Sequence, residues 1–290
     1  MSQSPPDTRV ESRRFELGPL VVEVPTTYGP RVLGLRLGDG PQLFARLDDE
    51  MGVEGHPAGR YRFGGGHRLW AAPEVPGVTY APDDLPCQVI AGAGQVTITG
   101  GVDAAGLVKE LTLRWSPEGL LVDHRLTNHG TGPLDLAPWA LTQVRLGGNV
   151  IIPTGGPRSD GLQADRSLVL WPYTDLSDRR LSWEPQALVI AANPGPPLKV
   201  GWGPGPPRLG YWVDGHLYIK SFATAQGREY VDRQAVAQVY LNESFCEIES
   251  LGPITRLAPG ETASHREVWE VRICRRAEDA IRQVVERPAR

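Results

Sequence analysis

Lysine is nearly missing from this chain: Lys109, Lys199 and Lys220 are the only three among 30 basic residues. Arginine supplies the rest without forming runs, and the formal net charge is -4. That balance provides no basic field of the kind that holds nucleic acid. Cysteine is also scarce. Cys87, Cys246 and Cys274 are far apart, form no CxxC pair and are odd in number, which argues against a disulfide framework. No apolar run reaches the roughly 18 residues that an ordinary membrane-spanning helix needs, so no membrane partner is expected. The start, Met1-Ser2-Gln3-Ser4-Pro5-Pro6-Asp7, has no apolar stretch behind a positive end. The sequence therefore predicts no leader and a reduced, cytoplasmic location. A G-x-S-x-G elbow is lacking, which removes support for a serine hydrolase. HxH and HExxH spacings are lacking too, so neither a metal nor a cofactor is expected.

What is present reads as β-structure. Of 290 residues, 40% are hydrophobic and 22% charged, enough for a substantial core. Glycine (34) and proline (27) are spread as turn punctuation rather than concentrated. Short apolar segments recur between turn signals such as Gly38-Asp39-Gly40, Ser116-Pro117-Glu118-Gly119 and Asn128-His129-Gly130. Several alternate with period two. In 107–115, Leu107, Lys109, Leu111, Leu113 and Trp115 share one face, while Val108, Glu110, Thr112 and Arg114 share the other. Later strands are expected near 142–152, 186–192, 198–203, 209–222, 236–250 and 264–274. One helix is predicted, at the end, where Ala277, Ala280, Ile281, Val284 and Val285 recur at three and four residues. The expected architecture is all-β: two large, mostly antiparallel twisted sheets packed face to face over residues 10–275. Residues 1–9 are a tail, and 276–290 a short C-terminal helix and tail.

Three blocks carry chemistry. In the first, Gly64-Gly65-Gly66 gives a backbone able to adopt positive φ and to approach a ligand closely, followed by His67, Arg68, Trp70 and Glu74. No Lys-Ser/Thr ends it and no helix follows, so it is not a phosphate loop. A guanidinium, an imidazole and an indole suit a polyol, which offers hydroxyl edges and weakly polar C–H faces. The second block, Ala137-Pro138-Trp139-Ala140-Leu141-Thr142-Gln143, adds another indole. The third is the strand 245–250, on which Glu247 and Glu249 project to one side, roughly 7 Å apart. Like charges at that range raise at least one pKa, which makes a general base. Lys220 shares a face with Tyr218 and Phe222. His124 and His129 read as solvated turn residues, and Cys246 faces away from the glutamates.

These blocks, with Leu170-Trp171-Pro172-Tyr173, Tyr230, Asp232 and the closing Leu257-Ala258-Pro259-Gly260-Glu261, His265 and Trp269, resemble the galactose mutarotase-like (aldose 1-epimerase) superfamily, in a bacterial branch. The likeness covers roughly residues 15–275. It implies a β-supersandwich with a sugar site in a concave face, acting on a free sugar or sugar derivative by general acid–base catalysis. Glu249 matches the base that takes the anomeric hydroxyl proton. Where the family places its acid histidine, this chain has Ala-Pro-Trp-Ala around Trp139, so His67 is the expected acid. Arg68, Lys220 and Asp232 would orient hydroxyls or an acidic substituent, Glu247 would tune Glu249, and Trp70, Glu74, Trp139 and Tyr230 would line the pocket. The expected partner is a small carbohydrate, with the chain monomeric or homodimeric. A carbohydrate-recognition protein without turnover is the alternative.

Overall fold

The computed structural model describes residues 11–48, 50–155, 162, 166–203 and 205–286. The expected tails, 1–9 and 287–290, lie outside the described residues. Two large antiparallel sheets dominate. A ten-stranded sheet runs from Leu181–Glu184 at one edge to Gln88–Gly92 at the other, with His216–Phe222, Thr262–Ile273 and Gly119–Asn128 near its middle. An eight-stranded sheet has the path Ser167–Leu170, Leu198–Gly203, Ala237–Leu241, Cys246–Leu251, Leu134–Val144, Gly66–Ala72 and Arg31–Val32, with Thr255–Leu257 paired to one end of Leu134–Val144. A three-stranded sheet (Ser12–Leu17, Leu20–Pro25, Gly34–Leu37) and a small hairpin (Gly52–His56, Gly59–Arg62) complete the strands among the described residues.

Side-chain alternation builds the core. In Leu107–Ser116, Leu107, Lys109, Leu111 and Leu113 are buried while Arg114 and Trp115 at the end are exposed. Its partner Gly119–Asn128 turns Leu120, Val122 and Leu126 the same way, joined through a two-residue turn at Pro117-Glu118. Two expected strands prove to be hairpins. The span 209–222 folds back at Asp214-Gly215, whose φ of 49° and 71° are the left-handed pair of a tight hairpin turn. The span 236–250 folds back at 242–245, where Asn242 Oδ1 accepts from the backbone N–H of Ser244 and Phe245.

The helix Ala277–Val285 closes the outer face of the ten-stranded sheet. Ala280 and Val284 pack on Ile151, Ala187, Leu217 and Ile219, beside the Cys274 thiol. Gly210 permits this approach, since a Cβ there would lie 2.4 Å from a Val284 methyl. The glycine run works in a similar way. Gly65 (φ 85°) and Gly66 (φ 70°) back directly onto main chain, where a Cβ would come within 2.2 Å of the Ala45 and Val32 carbonyl oxygens respectively. Their freedom serves close backbone packing. Gly64, Gly65 and Gly66, expected to let a ligand come close, do not line the cavity of the candidate site.

Candidate functional site: an acid pair under an aromatic cavity

Register decides which side chains meet. Across the eight-stranded sheet, Gly66, Gln143, Glu247, Tyr240 and Lys199 form one row of paired residues. Arg68, Leu141, Glu249 and Gln238 form the next row on that face, two residues along. Trp70 and Trp139 are paired beyond them. Of these, Glu247, Tyr240, Lys199, Trp70 and Trp139 line a cavity of about 490 Å³ on that side of the sheet, while Arg68, Gln143, Leu141, Glu249 and Gln238 lie covered beside it. Glu74, Tyr80, Tyr173, Phe63 and Phe245 wall it, and the Gly52–His56 hairpin strand contributes its rim. The volume falls within the roughly 300–1,000 Å³ typical of small-molecule sites.

The two carboxylates stand at different depths. Glu247 lines the cavity, and its Oε1 accepts from Arg68 Nη2 at 2.8 Å and from Gln143 Nε2 at 2.9 Å. Arg68 is fully buried, its guanidinium 4.5 Å from the Trp70 ring centroid. Glu249 is fully covered. Its Oε2 accepts from Trp139 Nε1 at 2.7 Å and lies 3.5 Å from Lys199 Nζ, while Oε1 has no hydrogen-bond partner among the described residues. Burial pushes Glu249 up to about 7, with Lys199 pulling it back and the Glu247 charge adding to the rise. Burial raises Glu247 as well, against the downward pull of Arg68 and Lys199. The covered Glu249 carboxyl is therefore brought close to neutral pH, and Glu247 at the cavity wall is shifted in the same direction.

Lys199 is not among the residues that sequence reasoning singles out, although the strand carrying it is. Its ammonium sits between two indoles, 4.7 Å from the Trp139 ring centroid and 4.8 Å from that of Trp171, and the side chain lines the cavity. The cue was there to use: one of only three lysines, set inside an apolar strand.

Four expected site residues lie elsewhere. His67 alternates with Arg68 and so points to the opposite side of the sheet, into the space between the two large sheets, where it is fully buried. Its expected place beside Glu249 in one cavity is not what the fold produces. Lys220 reaches the same interior space from the ten-stranded sheet, so it cannot orient a ligand in the cavity. Tyr230 lines a separate hollow of about 330 Å³ with Gly205, Gln226 and Gln234. Asp232, in a left-handed turn (φ 49°), accepts from Gln238 Nε2 at 2.7 Å beside the Glu249 row, and does not line the cavity. Glu74 does line it and accepts from the Tyr80 hydroxyl.

The interior space holds a second polar cluster. His124, expected in solvent, is fully buried there because it shares the inward face with Val122 and Leu126. Its Nδ1–H donates to the His265 carbonyl at 3.0 Å, which leaves Nε2 to accept from His67 Nε2–H at 2.7 Å. His67 Nδ1 then accepts from the Thr142 hydroxyl at 2.9 Å, and Thr142 Oγ1 accepts from Lys220 Nζ at 3.1 Å. On the other side, His265 Nε2–H donates to Ser250 Oγ at 2.7 Å, and Ser250 donates to Glu267. Glu267 also receives Trp269 Nε1 and pairs with Lys220 Nζ at 2.8 Å. Burial would raise Glu267, but the Lys220 ammonium and then the histidines hold it well below the usual carboxylate range. Burial drives all three imidazoles down, His265 to about 3. His67, His124 and Glu267 bring ligand atoms within 4.8 Å of one another, the one grouping of metal-binding type among the described residues. The cluster closes on itself, however, with Lys220 as its own cation.

The fold has clear precedents. A protein from Synechocystis sp. PCC 6803 is similar over 94% of this chain and 99% of its own, with 12% identity and a TM-score of 0.58. A galactose mutarotase-like protein from Lactobacillus casei ATCC 334 is similar over 90% of this chain and 100% of its own, with 11% identity and a TM-score of 0.52. A TPR-domain containing protein from Parabacteroides distasonis ATCC 8503 carries the same arrangement over 48% of its length, matching 93% of this chain at 12% identity and a TM-score of 0.60. This chain thus has the galactose mutarotase-like fold. No protein-family model matches its sequence, and no curated protein matches it.

Proposed function

We propose that the cavity binds a small carbohydrate and that the acid pair beneath it serves as the base in interconverting the sugar's anomers. The observation that carries this reading is the coincidence of Glu247 and Glu249, both raised toward neutrality, with an aromatic wall of sugar dimensions. Indole faces at Trp70 and Trp139 suit the C–H face of a pyranose, and Glu247, Lys199 and Asn242 suit its hydroxyl edge. A carboxyl titrating near 7 is matched to taking a hydroxyl proton at neutral pH. Glu247 presents its carboxylate at the wall, and Glu249 lies covered behind it. Wild-type protein should accelerate anomer exchange of at least one sugar in a panel of free aldoses, ketoses and uronates, followed by NMR. Glu247→Gln and Glu249→Gln should each lower that rate ~100-fold or more, the range of a lost general base. Unchanged rates in both variants would remove the acid pair from the mechanism.

A second reading has its own support. No imidazole lines the cavity among the described residues, and Glu249 is covered by its neighbours. A recognition protein that binds sugar without turnover would show measurable affinity by calorimetry and no exchange above the uncatalysed rate.

A further inference from the structure

Anomer exchange needs a proton donor at the ring oxygen as well as a base at the anomeric hydroxyl. The residue expected from the sequence to donate, His67, faces the interior. The cavity must therefore supply its own acid.

We propose that Lys199 is that proton donor. This deepens the reading above and rests on it. The side chain is 5% exposed, and what it shows faces the cavity. Among the described residues its ammonium has one ion-pair partner, Glu249 Oε2 at 3.5 Å, and two indole faces that accept no proton. An ammonium carries three N–H donors, so donors remain for a ligand. The other candidates are less suited. Arg68 is spent on Gln143 and Glu247, and a guanidinium does not give up its proton in proteins. The Tyr80 and Tyr173 phenols are held as weaker acids than usual, chiefly by burial, and Tyr80 already donates to Glu74.

Geometry favours the pairing of Lys199 with the acids. The hydroxyl that loses a proton and the ring oxygen that gains one are bonded to the same carbon. Donor and acceptor must therefore face one ligand, and Lys199 lines the same cavity as Glu247, two strands away in one row across Tyr240, with its ammonium 3.5 Å from Glu249 Oε2. In the forward step the anomeric O–H proton passes to the Glu247 carboxylate and the freed O–H electron pair forms the carbonyl. The bond between the anomeric carbon and the ring oxygen breaks, and that oxygen takes a proton from Lys199, leaving a neutral amine. After rotation of the aldehyde, the hydroxyl adds back to the other face. The amine recovers its proton and Glu247 returns its own, so no oxidant, reductant or second substrate is consumed.

The test uses the full-length chain with the sugar that the wild type turns over fastest. Lys199→Met should lower kcat ~100-fold or more while changing sugar affinity less than ~10-fold. Lys199→Ala opens a slot between Trp139 and Trp171, and added ethylamine or propylamine should restore turnover in proportion to the ammonium concentration. Urea midpoints of both variants check folding. Rescue by amine separates proton donation from a structural role, since a lost strut is not restored by a free base. A Lys199→Met variant that keeps more than a tenth of kcat overturns the proposal and leaves the acid pair standing. So does equal loss of affinity and rate, or an alanine variant that no amine rescues. A wild type that binds sugars but exchanges no anomers overturns this proposal together with the catalytic reading above.

Discussion

Lys220→Met removes the single cation from the cluster between the sheets, and its cost can be worked from the contacts. The Lys220 ammonium lies 2.8 Å from Glu267 Oε1, both side chains fully buried, and donates to the Ala140 carbonyl at 2.9 Å and the Ile248 carbonyl at 3.2 Å. Methionine fills similar volume, so the cavity term is small. What remains is a carboxylate left without its counter-charge in a dry interior, a loss of about 3–5 kcal/mol. For a chain of this size that is a large share of the usual ~5–15 kcal/mol of stability. Urea unfolding followed by tryptophan fluorescence should show the midpoint falling with the m-value unchanged. The double variant Lys220→Met/Glu267→Gln should recover about 2 kcal/mol, because an amide in place of the carboxylate keeps acceptor and shape without the charge. A single variant costing less than ~1 kcal/mol, or a double variant no better than the single, would refute the view that this pair neutralises itself inside the core.

Two further predictions concern the same scaffold. His67, His124 and His265 are held neutral by burial, so below their ordinary value of about 6.5 the unfolded chain binds more protons and stability falls with pH. Glu249, raised in the fold to about 7, runs the other way between there and about 4.5, Glu247 shifts in the same direction, and together they blunt the loss there. The steepest decline, up to ~4 kcal/mol per pH unit from three imidazoles, should therefore come below pH ~4.5; urea midpoints flat from pH ~4.5 to ~3.5 would contradict it. Gly66→Ala places a Cβ 2.2 Å from the Val32 carbonyl oxygen at a φ of 70°, and should cost ~2 kcal/mol or more in thermal or urea unfolding, with a wild-type midpoint counting against the packing role.

The sheet architecture was legible because half-buried strands announce themselves. Leu107 to Leu113 alternate, and the face expected for Leu107, Lys109, Leu111 and Leu113 is the buried one, with Trp115 at the strand's end exposed. The C-terminal helix was legible from its three-and-four spacing. Sidedness at the site was not. All seven residues of Gly66–Ala72 and all six of Cys246–Leu251 are buried, since both faces of these strands are covered. Such a strand shows which residues share a face, as for Glu247 and Glu249, without showing which face is the core. The positive φ at Gly64, Gly65 and Gly66 resets the phase just ahead of His67, so no pattern upstream could orient it. Lys220 is misplaced for the same reason, in a strand whose middle is covered on both sides. Lys199 escapes notice because no charged neighbour within its own strand marks it, and only the cross-strand register with Tyr240 and Glu247 reveals its company.

The strands Leu134–Val144 and Cys246–Leu251 are a party wall between two ionised compartments. Lys220 grips that wall from behind at the Ile248 carbonyl, the peptide lying between the two glutamates that face forward. A substitution in the rear room, at His67, Thr142 or Ser250, therefore shifts the backbone on which the front acids are mounted. Mutational surveys of this chain should find residues far from any ligand altering proton affinity at the front without touching it.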